Sequence, residues 1–467
     1  MSLMSRSAAI AVGIVVIIIV IAAAAVLMKG GGGAKPAPAA ASPSTTAAPA
    51  TTQTTSTTTA ATTATTGTAA ATATAGKTMK INVGLLVDLS GPTSDVGKDY
   101  ARGAELAFKY FNEKGIYTKD GVRVVINYIK RDYGYQPPKA AEFYKEFRDR
   151  YHVIAIVGWG TADTEFLSSQ VAKDRIFYVS ASYSAKLVPQ PYNFFPAPDY
   201  STQACAAVAW MAQRKPNATL VLLYDHKVAY SKSPIPAIKA MAEKLGMKVY
   251  DVDLPLKASE ADATNAVKQA MTYNPDFLWC GNTIGSCSLA ARAMAKLGLN
   301  AVMVANVWGF DERFPELAAA DIRGKAAGVS PWIWPEYAKD KPGYQELYEA
   351  VKLYGKDLGI SEKDVNLRIM QGFINVWLLV KAITMTTSKD LQEKGGEALK
   401  MAIESSCNGE PIKLGDITPP MRYCPGSHLP FRTAYIVVYG EDGQFHFEGP
   451  IEAKGVDCVK ATLQGGG

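Results

Sequence analysis

Between Lys80 and Val304, short apolar runs alternate with amphipathic segments so regularly that few folds are open to the chain. Ile81 to Val87 reads as a strand, followed by a Ser-Gly-Pro loop and a helix over Tyr100 to Asn112. Val122 to Tyr128, Val153 to Val157 and Ile176 to Val179 read as further strands, separated by helices over Ala140 to Arg150 and Phe166 to Lys173. Such a βαβ series implies a mostly parallel sheet with helices on both faces. A second series follows, with strands Thr219 to Leu223, Lys248 to Val252, Asp276 to Cys280 and Ala301 to Val304 and helices Ile235 to Leu245, Asp262 to Thr272 and Leu289 to Leu297 between them. The expected fold class is α/β, with two doubly wound parallel-sheet lobes in tandem. Gly343 to Leu358 and Val365 to Met385 read as two longer helices, and Ala434 to Tyr439 with Gln444 to Phe447 as a hairpin around Glu441-Asp442-Gly443. These late elements must complete sheets begun earlier.

The first 78 residues differ in kind, for they contain no Asp or Glu. Ala8 to Met28 runs 21 residues without a charge, through Ile14 to Ile21, and as a helix would cross about 30 Å of hydrocarbon. Residues 1–29 are expected to be a transmembrane anchor, with a cleaved secretory signal as the alternative because Ala22 to Ala25 suit a small-residue cleavage site. No cysteine precedes Cys205, so lipidation of an N-terminal cysteine is excluded. Residues 30–77 are dominated by Gly, Ala, Pro and sixteen Thr, with no aromatic residue and no aliphatic larger than Ala. Such a segment cannot form a core and is expected to be a disordered linker, either plain or O-glycosylated.

At 467 residues the chain has room for two to four domains. Setting aside Arg6, Lys29, Lys35 and Lys77 leaves 45 basic residues against 43 acidic ones. That balance, without any Lys/Arg run, argues against a nucleic-acid partner. The six cysteines form no C-x-x-C and the four histidines are scattered, so no zinc pattern arises and no cofactor is expected. In an exported chain Cys280/Cys287 and Cys407/Cys424 are the first candidates for disulfides, with unpaired buried thiols as the alternative.

Catalytic signatures are absent or incomplete. Gly91 to Lys98 approaches a phosphate loop, but the glycine spacing is one residue too long and Asp99 follows the lysine. Gly158-Trp159-Gly160-Thr161-Ala162-Asp163 follows a strand and opens a helix, yet Asp163 stands where a dinucleotide fingerprint has its third glycine. There is no G-x-S-x-G and no H-E-x-x-H. An enzyme is not expected. The strand-to-helix turns remain, where an open α/β sheet binds ligands. Ser90 with Gly91, Gly160 with Thr161, and Ser180 to Ser184 lie at such turns, where hydroxyls and helix N–H groups suit a carboxylate. Capping of their own helices is the competing role.

Four stretches carry a resemblance: Ile81 to Leu86 running into Ser90-Gly91-Pro92, Arg131 to Pro137, Ile156 to Thr161, and Val179 to Tyr183. Pro198-Asp199-Tyr200 with Gln203, and Tyr224-Asp225 with Tyr230, continue it. From Ile81 to about Phe447 the chain resembles the substrate-binding protein of a branched-chain amino acid type ABC transporter, a type I periplasmic binding protein of the leucine/isoleucine/valine-binding family. The resemblance implies two lobes joined by three crossings, near Pro198, Pro331 and Pro430. Lobe 1 would comprise residues 78–200 and 332–430, lobe 2 residues 201–331 and 431–460, and residues 461–467 a tail.

In that family the ligand's α-carboxylate meets a serine or threonine and backbone N–H groups, at positions that fall here on Thr161, Ala162, Ser182 and Tyr183. Ala162 stands where a serine is common, so Thr161 or Asp163 must compensate. The ammonium normally meets an acidic residue after the strand placed at Ala301 to Val304, where this chain has Asn306, Val307 and Trp308. Asp163, Asp225 or a different ligand such as a small amide are the alternatives. Tyr230 and Asn282 or Thr283 fall where the second lobe supplies contacts, and Trp159 and Trp308 either line an apolar pocket or belong to the core. The implied function is an extracytoplasmic solute receptor, held at the outer face of the membrane by its N-terminal helix, that binds an amino acid or amide and passes it to an ABC permease. The alternative is a surface assembly or sensor module with the same fold and no transport ligand, since the charged start followed by an apolar helix also resembles archaeal pilin-like signals.

Overall fold

Ile81, Val83, Leu85, Leu86 and Val87 are buried whichever way they point, which suits a strand covered on both faces. In the computed structural model, which describes residues 78–465, they form β1 (Thr78–Val87) at the centre of a six-stranded sheet. With β2 (Ile116–Tyr117), β3 (Arg123–Asp132), β4 (Ala155–Gly158), β5 (Phe177–Ser180) and β6 (Asn193–Phe194) the order is β2-β3-β1-β4-β5-β6. All neighbours are parallel except β2 with β3. The second sheet has seven strands, β7 (Thr219–Tyr224), β8 (Lys248–Asp253), β9 (Phe277–Cys280), β10 (Val302–Ala305), β11 (Ala326–Ser330), β12 (Thr433–Tyr439) and β13 (Phe445–Glu452), ordered β13-β12-β11-β10-β9-β7-β8. It is parallel apart from the hairpin β12/β13, whose first strand runs antiparallel to β11. The molecule is thus mixed α/β with two sheets dominated by parallel strands. The transmembrane anchor and linker expected for residues 1–77 lie outside the described residues.

Three helices start well before their apolar periodicity predicts. The helix expected from Tyr100 begins at Ser94, that from Phe166 at Thr161, and that from Leu289 at Ile284. Each first turn therefore sits at the end of the preceding strand. Helices outside the sequence expectation are Tyr200–Arg214, Ala229–Lys232, Phe314–Ala318, Ser388–Lys394, Gly396–Glu404 and Cys458–Gln464. Strands β2, β6 and β11 are likewise outside the sequence expectation.

The helix Leu367–Thr384 lies across Ser94–Lys114 at two glycines. A Cβ on Gly103 would collide with the Ile369 carbonyl, and one on Gly372 with the Tyr100 carbonyl. Leu367–Thr384 is the one helix among the described residues long and apolar enough to cross a membrane, but it is a core helix with 83% of that stretch buried.

All six cysteines pair. Cys280–Cys287 and Cys407–Cys424 close the short loops, and Cys205–Cys458 ties the helix Tyr200–Arg214 to the last helix across 253 residues of sequence. Removing this long-range link by Cys205→Ala with Cys458→Ala is expected to lower stability by about 2 to 5 kcal/mol in urea unfolding. Intact mass after alkylation without reductant provides the companion check, with no thiol expected to react.

Candidate functional site

The turns that leave the carboxyl ends of both sheets face a common cavity. Thr93, Tyr135, Trp159, Gly160, Thr161 and Ala181 come from the first sheet, Tyr200 from the segment after β6, and Tyr230, Thr283 and Trp308 from the second. They surround about 20 Å³ of cavity space. That holds about one water and is far below the roughly 300 to 1,000 Å³ of drug-sized pockets, so a solute enters only when the walls part.

Each wall is held from behind. Asp88 is fully buried after β1 and accepts hydrogen bonds from the Gly91 N–H at 2.6 Å, the Thr93 N–H at 2.9 Å and the Thr93 hydroxyl at 2.6 Å. Thr93 Oγ1 in turn accepts from Trp159 Nε1 at 2.8 Å, which fixes the indole. Trp308 meets Trp159 edge-on, with centroids 4.9 Å apart and planes at 65°. Its Nε1 donates to Tyr200 Oη at 2.9 Å. Ser182 Oγ donates to Thr161 Oγ1 at 2.9 Å, the Thr161 hydroxyl bonds the Tyr200 oxygen, and Tyr200 donates to the Ala181 carbonyl at 3.2 Å. This chain of hydroxyls rigidifies the wall and leaves Thr161 and Tyr200 with partners of their own.

Asn306 holds the opposite wall. Its Nδ2 donates to the carbonyls of Cys280 and Asn282 at 3.0 and 2.9 Å. Its Oδ1 accepts from Tyr230 Oη at 3.1 Å and the Trp308 N–H at 2.7 Å. An aspartate could not donate to those two carbonyls, which explains the amide at this position.

The cavity therefore gathers Trp159, Gly160, Thr161, Tyr230, Thr283 and Trp308 of the residues singled out from sequence. The others stand elsewhere. Ser90 is exposed, and its hydroxyl serves Asp132. Ala162 lies on the first helical turn without lining the space. Ser182 and Tyr183 back the wall, the Tyr183 ring stacking on Trp308 at 5.9 Å. Asn282 donates to the carbonyls of Leu254 and Pro255 at 2.8 and 3.2 Å and so braces a loop. Asn306 acts through Tyr230 and Trp308. Asp225 binds the N–H groups of Lys227, Val228 and Leu256, and so organises its own loop. Thr93, Tyr135, Ala181 and Tyr200 line the cavity without having been singled out as site residues. A signal for Tyr135 exists in Tyr133-Gly134-Tyr135, where Gly134 and Tyr135 both have positive φ, 58° and 59°.

Asp163 sits beneath Gly160 and the cavity floor. It accepts from Tyr133 Oη at 2.8 Å and from the N–H groups of Gly160 and itself, while Oδ2 has no partner. A Cβ on Gly160 would collide with Asp163 Oδ1 and Tyr133 Oη, so this close approach requires glycine. Burial pushes the Asp163 carboxyl up from 3.8 to about 7, against the lowering effect of those hydrogen bonds. An acid whose pKa is higher folded than unfolded binds more protons in the native state, so stability falls as pH rises from about 4 to about 7. Asp163→Asn is expected to flatten this slope and raise the melting temperature at pH 8, with little change at pH 4. An unchanged slope would contradict the assignment.

Groups from the two sheets also bond directly. Asp95, at the start of the helix Ser94–Lys114, accepts from the Gly285 N–H at 2.9 Å and from the Thr283 hydroxyl. Arg313 reaches Asp99 at 3.2 Å. Arg368, fully buried on the helix Leu367–Thr384, reaches the loop after β10 through Asp311 at 3.1 Å and the carbonyls of Val307 and Phe310 at 2.5 and 2.6 Å. Among the described residues no three His, Cys, Asp or Glu side chains converge to hold a metal.

Comparison with known proteins places this arrangement. Residues 80–412 match the family model for periplasmic binding proteins. Among solved structures, an ABC transporter substrate binding protein from Aeropyrum pernix is 57% identical, with 83% of this chain and 99% of that one covered at a TM-score of 0.80. A branched chain amino acid ABC transporter protein from Thermus thermophilus with bound valine is 20% identical, covers 82% of this chain and 98% of its own, and has a TM-score of 0.71. A fatty acid ABC transporter substrate-binding protein from Thermomonospora curvata, also 20% identical, covers 82% of this chain and 94% of its own at a TM-score of 0.68. Those last two share the fold alone. Among curated protein sequences nothing matches the chain significantly. By the length of the family match and the identity to the Aeropyrum pernix protein, the chain belongs to the periplasmic binding protein family and is similar to substrate-binding proteins of ABC transporters.

Proposed function

We propose that the chain is an extracytoplasmic receptor that closes two lobes around a compact solute and passes it to an ABC permease. The observation that carries this reading is a cavity whose walls come from the strand ends of both sheets and are bonded to one another across the cleft. The lobes are those of residues 78–200 with 332–430 and of 201–331 with 431–460, and the apolar segment Ala8 to Met28 tethers them at the outer face of the membrane. An amino acid, branched-chain or related, or a small amide is the ligand class that the sequence resemblance brings in.

Calorimetric titration of the purified chain with branched-chain amino acids, other amino acids and short amides tests the reading. Thr161→Ala removes a cavity wall group and the partner of both Ser182 and Tyr200, and is expected to weaken binding about tenfold. Ser182→Ala, acting only through Thr161, is expected to do less. A ligand that binds both variants as tightly as wild type would place the site elsewhere.

One observation favours the second reading, a surface assembly or sensor module without a transport ligand. The Thr161 N–H is already taken by the Tyr135 hydroxyl, so aromatic side chains fill part of the cleft. Titrations without heat, together with self-association of the chain, would support it.

A further inference from the structure

The cavity's walls are aromatic and most of its hydroxyl protons are spent. Tyr135, Trp159, Tyr200, Tyr230 and Trp308 present five rings to one small space. Trp159 and Trp308 meet at 65° and form a corner, and Tyr200 and Tyr230 form another with centroids 5.8 Å apart and planes at 64°. The hydroxyls of Thr93, Thr283 and Tyr230 donate to Asp88, Asp95 and Asn306, and Tyr200 donates to the Ala181 carbonyl. A ligand carboxylate would find few free donors here.

Carboxyl groups back three of the walls, and a guanidinium backs Trp308. Asp88 stands behind Thr93, Asp95 behind Thr283 and Asp163 behind Gly160, and no Lys or Arg lines the space. Arg368 lies 5.1 Å over the Trp308 ring and is paired with Asp311. This is a setting for a cation. A primary ammonium carries three N–H donors that need acceptors once out of water, and no carboxylate lines the cavity to take them. A quaternary ammonium has no N–H to satisfy, and ring faces attract its charge.

We propose that the cavity, once its walls part, binds a compact quaternary ammonium compound, its methylated nitrogen held in the box of Tyr135, Trp159, Tyr200, Tyr230 and Trp308. The proposal rests on the reading of this cavity as the ligand site and narrows the solute class within it.

The test compares charged ligands with their carbon isosteres by calorimetry: choline against 3,3-dimethylbutan-1-ol, and glycine betaine against 3,3-dimethylbutanoate. Valine and isoleucine are run beside them. At least one quaternary ligand is expected to bind, with its isostere weaker by roughly tenfold or more. Tyr230→Leu is expected to weaken binding of that ligand about tenfold, and Tyr230→Phe, which keeps the ring, by much less; circular dichroism confirms that both variants fold. Isosteres that bind as well as the charged ligands would overturn the proposal, as would a Tyr230→Phe effect equal to that of Tyr230→Leu. Binding of valine or isoleucine alone would overturn it and leave the receptor reading intact. Absence of binding by every compound would overturn both.

Discussion

Replacing Arg368 with methionine is expected to cost about 3 to 5 kcal/mol of folding stability and to abolish ligand binding. Arg368 is fully buried and makes four hydrogen bonds, to Asp311, Gln371 and the carbonyls of Val307 and Phe310. Methionine fills much of the same volume but donates nothing. Asp311, equally buried, would keep Arg313 at 2.7 Å as its remaining cation, and the two carbonyls would be left dry and unpaired. The binding defect follows from chain geometry, since Trp308 lies between the two anchored carbonyls. Once the loop is free, the indole that closes the cavity corner against Trp159 is no longer held. Urea unfolding followed by circular dichroism measures the first effect and titration the second. A loss below about 1 kcal/mol would show that this ion pair is not what holds the loop.

Gly372→Val is the second large effect, a loss of at least about 3 kcal/mol, with Gly372→Ala intermediate. Any Cβ at this position enters the space of the Tyr100 carbonyl and the Ala104 N–H on the facing helix. Gly103 makes the reciprocal approach to Ile369, so neither helix can shift without breaking the other contact. Tyr100 also donates to the Gly158 carbonyl at 3.0 Å, accepts from Asn375 at 2.8 Å, and packs its ring 4.9 Å from Trp159. A displaced helix therefore moves the cavity wall, and ligand affinity is expected to fall with stability. Melting temperatures of the two variants check the order. A valine variant as stable as wild type would mean that the helices are not in contact there.

The α/β class was legible because each strand of the two series is a short apolar run and each helix an amphipathic one. What escaped has physical reasons. The helix Tyr200–Arg214 is buried on nearly every side, from Tyr200 to Val208 without interruption, so it shows no polar face to mark its period. Strand β11 reads Ala-Ala-Gly-Val-Ser and looks like a loop, but its small residues make room for Phe310, which a Cβ on Gly328 would strike. The disulfide Cys205–Cys458 spans 253 residues, and no local spacing could reveal it.

The candidate site was half legible. Thr161, Tyr230 and Trp308 line the cavity because strand ends must point there in an open parallel sheet. Ser182 and Asn306 are polar for internal reasons, one to orient Thr161 and the other to join Tyr230 and Trp308. Sequence alone does not separate a side chain that meets a ligand from one that holds its neighbour in place.

Native mass spectrometry of gently purified protein is the most direct test of the central claim, that the aromatic cavity between the two sheets is a binding site for one compact solute. The expected spectrum contains a single small-molecule adduct at one copy per chain, present in wild type and lost in Tyr230→Leu. A wild-type spectrum without an adduct that gains none when the protein is incubated with the quaternary ammonium compounds, amino acids and amides, or an adduct retained undiminished by the folded Tyr230→Leu protein, would contradict it.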